Sequence, residues 1–363
     1  MWPDRFRESL IAILTTALAL SGAALFLSLL SAQAATGGQP AAAPQAPVLT
    51  ATRPTPETVS AIFLPYTTWQ PTPVPTAVPP PEWLTYLNRF RAAADLHPLT
   101  ENSTWSYGSW LHSRYMVKED AITHGEDPSS EWYTEEGDIA GRKGNIAVSW
   151  SVYARNAFAI DLWMSGPFHA IRILDPRLYE TGFGSYREEI GYWKMAATLD
   201  VSRGRGELPA DITYPIFFPA DGGATWLPGH VYGEFPDPLA HCGYTRPAGA
   251  PLLMQLGTGS LSPEVITHSF RSTATELEHC VFSESTYTHT VTWQQNSGRR
   301  LLDGRDAIVL MPREMLEVGK SYTASITISG TAPITYSWSF SVTTPPAAYR
   351  PSPAIEAIIG EQK

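Results

Sequence analysis

The first 81 residues cannot build a core, and this fixes where the folded part of the chain begins. No charged residue occurs from Ser9 through Thr52, and Leu10 to Leu30 is a continuous apolar run behind Arg5 and Arg7. Such a run suits a bilayer, and Ala32-Gln33-Ala34 supplies the small residues of a cleavage site. Residues 1–34 therefore read as a signal peptide or a membrane anchor, and either one places the remainder outside the cytoplasm. Pro40 to Pro81 holds 12 prolines with Arg53 and Glu57 as its charged residues. Proline fixes φ and favours polyproline II, so residues 35–81 read as an extended linker, with Ala61-Ile62-Phe63-Leu64 as an apolar island able to pack as a strand.

The remaining length suits two modest domains. Helical periodicity begins after the last proline of this tract, with Trp83, Leu84, Leu87, Phe90 and Ala94 on one stripe and Arg89 and Arg91 turned away. A second helix is expected over Ser103–Glu119 with Ser103 as N-cap, a third over Tyr153–Met164, and a short turn from His169 to Leu174. Thr181–Tyr186 and Tyr192–Leu199 read as paired strands. Beyond Asp221 the pattern changes to short alternating runs separated by Gly, Pro and Ser. Leu252–Leu256, Glu276–Phe282, Ala307–Leu310, Ser321–Ser329 and Tyr336–Val342 are strand candidates, and Ser337-Trp338-Ser339-Phe340-Ser341-Val342 resembles the last strand of bacterial Ig-like modules. The expected boundaries are a first domain at 82–204, a linker at 205–245, a β-sandwich at 246–345 and a tail at 346–363.

Composition excludes some functions. A net charge of −10 without a basic block argues against a nucleic-acid partner. The two cysteines, Cys242 and Cys280, fit neither a redox CxxC pair nor a four-ligand zinc site. In an exported protein a single disulfide is the expected arrangement, with two buried thiols as the alternative.

Several segments of the first domain together resemble the CAP superfamily, in its bacterial SCP-like branch. They are Leu87-Asn88-Arg89-Phe90-Arg91, His112-Ser113-Arg114-Tyr115-Met116 ahead of Ile122-Thr123-His124, and Lys143-Gly144-Asn145-Ile146. With them stand Leu162-Trp163-Met164-Ser165-Gly166-Pro167-Phe168-His169 and the pair Gly182-Phe183-Gly184 and Trp193-Lys194-Met195-Ala196-Ala197. The resemblance covers about a third of the chain. It implies an α+β fold, a three-layer α-β-α sandwich followed here by an all-β Ig-like domain, with an open cleft holding two histidines. Those carry over as His124 and His169, with Asn145 as a further cleft residue. The family's two cleft glutamates fall on Gly144 and Gly166, so a zinc site on His124 and His169 would need another acid. Glu126, Asp127, Asp138 and Asp161 are the nearby candidates, and no cofactor is expected without one of them.

The plain readings stand beside these. His112 on the inward stripe of its helix reads as a core histidine. Ser165 reads as a turn serine before Gly166-Pro167, and Asn102-Ser103-Thr104 is a glycosylation sequon whose serine serves as a cap. Trp132, Tyr133, Trp150, Tyr153 and Trp163 suit an apolar or carbohydrate ligand, or core packing. No G-x-S-x-G or H-E-x-x-H motif is present. The expectation is an extracellular or cell-surface binding protein, not an enzyme, that takes a lipid, peptide or cell-wall fragment and meets the membrane only through its N-terminal segment. A secreted hydrolase using the two histidines, and a surface adhesin or spacer, are the competing readings.

Overall fold

The computed structural model describes residues 79–345. The expected signal or anchor, the spacer with its apolar island, and the tail lie outside them. Among the described residues no helix is long and apolar enough to cross a membrane.

Helix α1 (Glu82–Ala92) starts directly after Pro81, with Glu82 in its first turn and Arg89 and Arg91 in its last, as the helix dipole favours. The expected stripe is buried, and Tyr86 joins it. Arg91 differs from expectation, being fully buried. Its guanidinium donates to the carbonyls of His97, Ile173, Asp175 and Leu178 at 2.6–3.1 Å, so four N–H groups find acceptors where a lysine would find fewer.

After β1 (Thr100–Glu101) comes α2 (Ser103–Lys118). Its cap is Asn102 and not Ser103: the Asn102 side chain accepts from the Trp105 N–H, so the sequon asparagine is occupied in holding the helix start. Two elements that periodicity did not reveal follow, α3 (Glu135–Lys143) and β2 (Gly144–Ser149). Then come α4 (Asn156–Ser165), α5 (Pro167–Ile173), β3 (Glu180–Thr181), β4 (Phe183–Arg187) and β5 (Met195–Asp200). The strands β2, β5 and β4 form one antiparallel sheet in that order. Both its faces are covered. Ile146 and Ala196 pack with Met116 and Val117 of α2, while Ala147, Met195, Ala197 and Leu199 face the core that contains Trp163 and Met164 of α4. Alternate residues of each strand thus serve opposite layers, which makes the expected α-β-α sandwich.

The segment 205–245, read from sequence as a linker, is structured. It contributes β6 (Ile216–Phe218), β7 (Gly223–Thr225), β8 (Gly229–His230) and α6 (Pro238–Cys242). The chain then runs through β9 (Ala248–Gly249), β10 (Leu252–Gln255), β11 (Val265–Ser272), β12 (Thr275–Glu276), β13 (His279–Ser283), α7 (Thr292–Asp303), β14 (Ala307–Pro312), β15 (Ser321–Ile328) and β16 (Ile334–Val342). One sheet has the order β13-β14-β10-β6 and the other β12-β11-β15-β16-β7, so each takes an edge strand from the supposed linker. The all-β expectation is corrected at α7. Gln294, Gly298 and Leu302, four residues apart, turn its buried face inward, and Gly298 gives the close approach: a Cβ there would lie 2.4 Å from the Tyr287 ring. Cys242 and Cys280 form the disulfide, joining α6 to β13.

The sandwich and the β-rich region share one hydrophobic core. Phe90 packs against Trp226 and Phe218, and Phe168 of α5 meets Phe282 and Tyr287. At this junction the fully buried Asp175 carboxylate receives Arg177 (3.1 Å), Arg205 (2.9 Å) and Arg305 (3.0 Å). Burial alone would raise the Asp175 pKa, but Arg305 and the bonds from Arg177 outweigh it and hold the carboxyl below its ordinary value. Asp175→Asn leaves three guanidinium groups without their shared anion. It is expected to cost about 3–5 kcal/mol in urea unfolding followed by tryptophan fluorescence; a loss below about 1 kcal/mol would mean the group behaves as a surface pair.

Candidate functional site

His124 lies on the loop that follows α2, and the buried face of α2 holds that loop in place. His112 is completely buried; its Nε2 donates to the Thr123 carbonyl (2.8 Å) and its Nδ1 lies 2.9 Å from Glu126 Oε1. The other Glu126 oxygen accepts from the Thr134 N–H, and the Glu126 N–H donates to Asp138. His112 is therefore the core histidine expected, and it also clamps the residue before His124.

His124 donates from Nδ1 to the Gly141 carbonyl at 2.8 Å, which leaves Nε2 as a lone-pair acceptor. The ring is open to solvent on one side, yet the surrounding wall of protein lowers its pKa to about 4. Desolvation is the largest cause; the Gly141 bond opposes it, and the charges of His169, Arg172 and His112 add to it.

His169 sits in the first turn of α5. Its main-chain N–H (2.8 Å) and its Nδ1–H (2.7 Å) both donate to Oε1 of Glu234. Glu234 is buried and its Oε2 makes no hydrogen bond. This pairing fixes the His169 tautomer and again leaves Nε2 as the acceptor. The carbonyl of His169 is held by the Asn145 amide (3.1 Å), and Arg172 donates to Asn145 Oδ1 and the Gly144 and Lys143 carbonyls. Burial lowers the Arg172 pKa to about 10. Asn145 is itself fully buried, so it positions His169.

Gly166 explains why Glu234 can be there. A Cβ on Gly166 would stand 2.5 Å from the Glu234 carboxyl carbon and 2.6–2.7 Å from its oxygens. The carboxylate of a residue far along the chain fills the space that a side chain at 166 would need. His230 packs on the same turn, donating from Nδ1 to the Ser165 carbonyl at 2.7 Å. At Gly144 the space is different: a Cβ would meet the Ala140 and Leu199 carbonyls and the Thr198 methyl, and no carboxylate replaces one.

Residues 84–194 match the model of the CAP, cysteine-rich secretory protein, family. The match runs from α1 to the end of the loop before β5, so it leaves out the central strand of the sandwich's sheet and Glu234. Among solved structures, an extracellular protein containing a SCP domain from Bacillus anthracis str. Ames, at 1.5 Å resolution, is similar at 18% identity with a TM-score of 0.26. The similarity spans 34% of this chain and 39% of that one. No curated protein matches the chain.

Within the CAP region the four nearby acids are otherwise engaged. Glu126 serves His112, Asp138 serves Arg142 and Glu126, Asp127 caps Ser129, and Asp161 accepts from the Tyr86 hydroxyl at 2.5 Å. Among the described residues no group of three or more His, Cys, Asp or Glu side chains is placed to hold a metal. His124 and His169 offer two imidazole nitrogens, and although Glu234 Oε2 is without a hydrogen bond, it is not grouped with both of them; a tetrahedral zinc site takes at least three protein ligands. These residues do not fit the metal site that the resemblance suggested. Ser165, expected as a turn serine, is the last residue of α4 and donates to the Leu162 carbonyl within that helix. Of the aromatics, Trp163 is core and donates to the Ile146 carbonyl, while Trp150 and Tyr153 are exposed. A separate cavity of about 480 Å³, lined by residues including Trp83, Tyr86, Tyr153 and Arg187, contains neither histidine.

Two outcomes test this geometry. Gly166→Ala should expel the Glu234 carboxylate and release His169 Nδ1, as should the volume-conserving Glu234→Gln in weaker form; ¹⁵N NMR of the imidazoles should then show His169 exchanging between tautomers, and an unchanged tautomer would contradict the pairing. In an NMR titration His124 should stay neutral from pH 8 to near 5 and protonate near pH 4. His169→Ala, by removing one lowering charge, should move that titration upward.

Proposed function

We propose that the chain is an exported CAP-domain binding protein whose cleft takes a ligand through the Nε2 atoms of His124 and His169. One observation carries this reading: each ring is bonded at Nδ1, to the Gly141 carbonyl or the Glu234 carboxylate, so each is held in a fixed orientation with Nε2 outside that bond. Fixed acceptors recognise N–H or O–H donors, and a site whose polar groups are already oriented binds with less ordering cost. A peptide or wall fragment supplies such donors along its length, and a lipid supplies them at its head group. Export is supported by the sequence of residues 1–34 and by the Cys242–Cys280 disulfide, a bond of oxidising compartments.

A second reading rests on the His169–Glu234 pair. A carboxylate behind an imidazole stabilises the imidazolium formed when Nε2 accepts a proton, which is what a general base in hydrolysis requires. The carboxylate that the sequence left unidentified for a hydrolase would be Glu234.

Binding of peptidoglycan fragments and lipid vesicles to the full chain, beside His124→Ala/His169→Ala, separates the two. The binding reading expects affinity that falls by roughly tenfold or more in the double variant, as two hydrogen bonds are lost, with no turnover in either protein. Steady hydrolysis of peptide substrates abolished in the double variant would establish the second reading instead. Equal affinity of both proteins for every ligand tried would overturn the cleft as the binding site.

A further inference from the structure

The outward face of α2 carries a row of aromatic and cationic side chains that the histidine cleft does not use. Tyr107, Trp110, Arg114 and Lys118 follow at intervals of three, four and four residues, so they lie along one side of the helix over about 16 Å. Tyr107 stacks on Trp110 at 6.0 Å with the ring planes 12° apart. The Arg114 guanidinium sits 5.3 Å from the Trp110 centroid and 5.5 Å from that of Trp132, and the Lys118 ammonium stands 4.7 Å over Trp132. Tyr186 of β4 closes one side, edge-on to Trp110. Tyr107 is 59% exposed, and Trp110, Arg114 and Trp132 are half-buried.

The two cations of this row differ. Lys118 is neutralised by Glu188 at 2.5 Å, and Glu188 also accepts from the Tyr186 hydroxyl. Arg114 has no ion pair or hydrogen bond among the described residues. Its Nε is buried without a partner, and the side chain as a whole is half-buried. A guanidinium held between two indoles without an anion is suited to a planar oxyanion and in particular to a carboxylate, which it binds through two parallel bonds. Beside it, the exposed Tyr107 ring, backed by Trp110, offers an electron-rich face, which attracts the weakly positive C–H face of a sugar ring.

We propose that this face of α2 binds an acidic polysaccharide of uronic-acid type, with a sugar ring on Tyr107 and a carboxylate of the chain on Arg114. The charge of the ligand follows from the guanidinium without an ion pair, and its ring from the exposed Tyr107 face. A peptide with acidic side chains satisfies the first and not the second. The overall charge of −10 repels a polyanion at long range; binding must then depend on the local contact, and added salt should weaken it less than it weakens attachment to a broad basic patch.

The test is calorimetric titration of the full chain with an oligogalacturonate and with its methyl ester, which keeps the rings and removes the charge. The acid form is expected to bind and the ester to bind at least roughly tenfold more weakly, as loss of a charged hydrogen bond predicts. Arg114→Gln should reproduce the weakening with the acid form. Because Arg114 is packed between indoles, Tyr107→Ala at the exposed end is the second variant, and it should weaken both forms while leaving thermal unfolding unchanged. His124→Ala/His169→Ala should bind as the parent does, which keeps this site separate from the cleft. No binding of the acid form at millimolar concentration, equal binding by Arg114→Gln, or displacement of the sugar by an equal concentration of oligoglutamate would each overturn the proposal.

Discussion

The structure depends on a single buried carboxylate. Asp175 follows α5 and gathers Arg177 from its own turn, Arg205 from the segment that leaves the sandwich and Arg305 from the turn before β14. Buried guanidinium groups are tolerated when an anion and enough carbonyls surround them. Arg305, with its pKa lowered to about 10 by burial, shows how costly the arrangement is without that anion. Next to this group Gln255 of β10 donates to the Leu174 carbonyl, and the Ala220 N–H donates to the Ala93 carbonyl. The β-rich region is thereby fixed against α1 and α5, and the course of residues 205–237 follows from it.

The two histidines are ordered from both sides of that junction. His124 is placed from the sandwich side, through the clamp of His112 and Glu126 on its loop. His169 is placed from both sides, by Asn145 of β2 at its carbonyl and by Glu234 at its N–H and ring. The two rings are oriented through the same atom, Nδ1, by unlike partners: a carbonyl for one and a carboxylate for the other. Arg172 explains part of the difference. Its charge disfavours protonation of His124, and its hydrogen bonds tie β2 to α5, so that the sheet holds the helix carrying His169 in place.

Much of the sandwich was legible in the sequence because its elements alternate by simple rules. The stripe of Trp83, Leu84, Leu87 and Phe90 declares α1, and the ordered motifs around His124 and His169 single out two histidines close enough for one to affect the other's charge. Other parts were hidden for physical reasons. Residues Glu135–Lys143 are strongly polar, so α3 shows no apolar stripe, and β2 is buried on both faces and shows no alternation. Arg91 looked exposed because charge usually is, and four carbonyls reverse that. Glu234 lies among Gly233, Phe235 and Pro236, where no period marks it, and the short β6 and β7 are too brief to signal. The sign that could have found Glu234 was the pair of absences at Gly144 and Gly166: a glycine in place of a large polar residue leaves a volume, and in a close-packed interior something else has to occupy it.

The replacement at Gly166 also ties the cleft to the order in which the chain is made. A polypeptide emerges N-terminus first, and its early domain can fold before the rest exists. His124 and His169 have therefore been made while the residue that fixes the His169 ring is still 65 positions behind. A site whose carboxylate stood at 166 would mature with its own sandwich; this one waits for the β-rich region to arrive and dock. A chain cut short before residue 234 would keep both imidazoles and lose the partner of one, so the finished geometry of the cleft reports that synthesis has passed through the β-rich region.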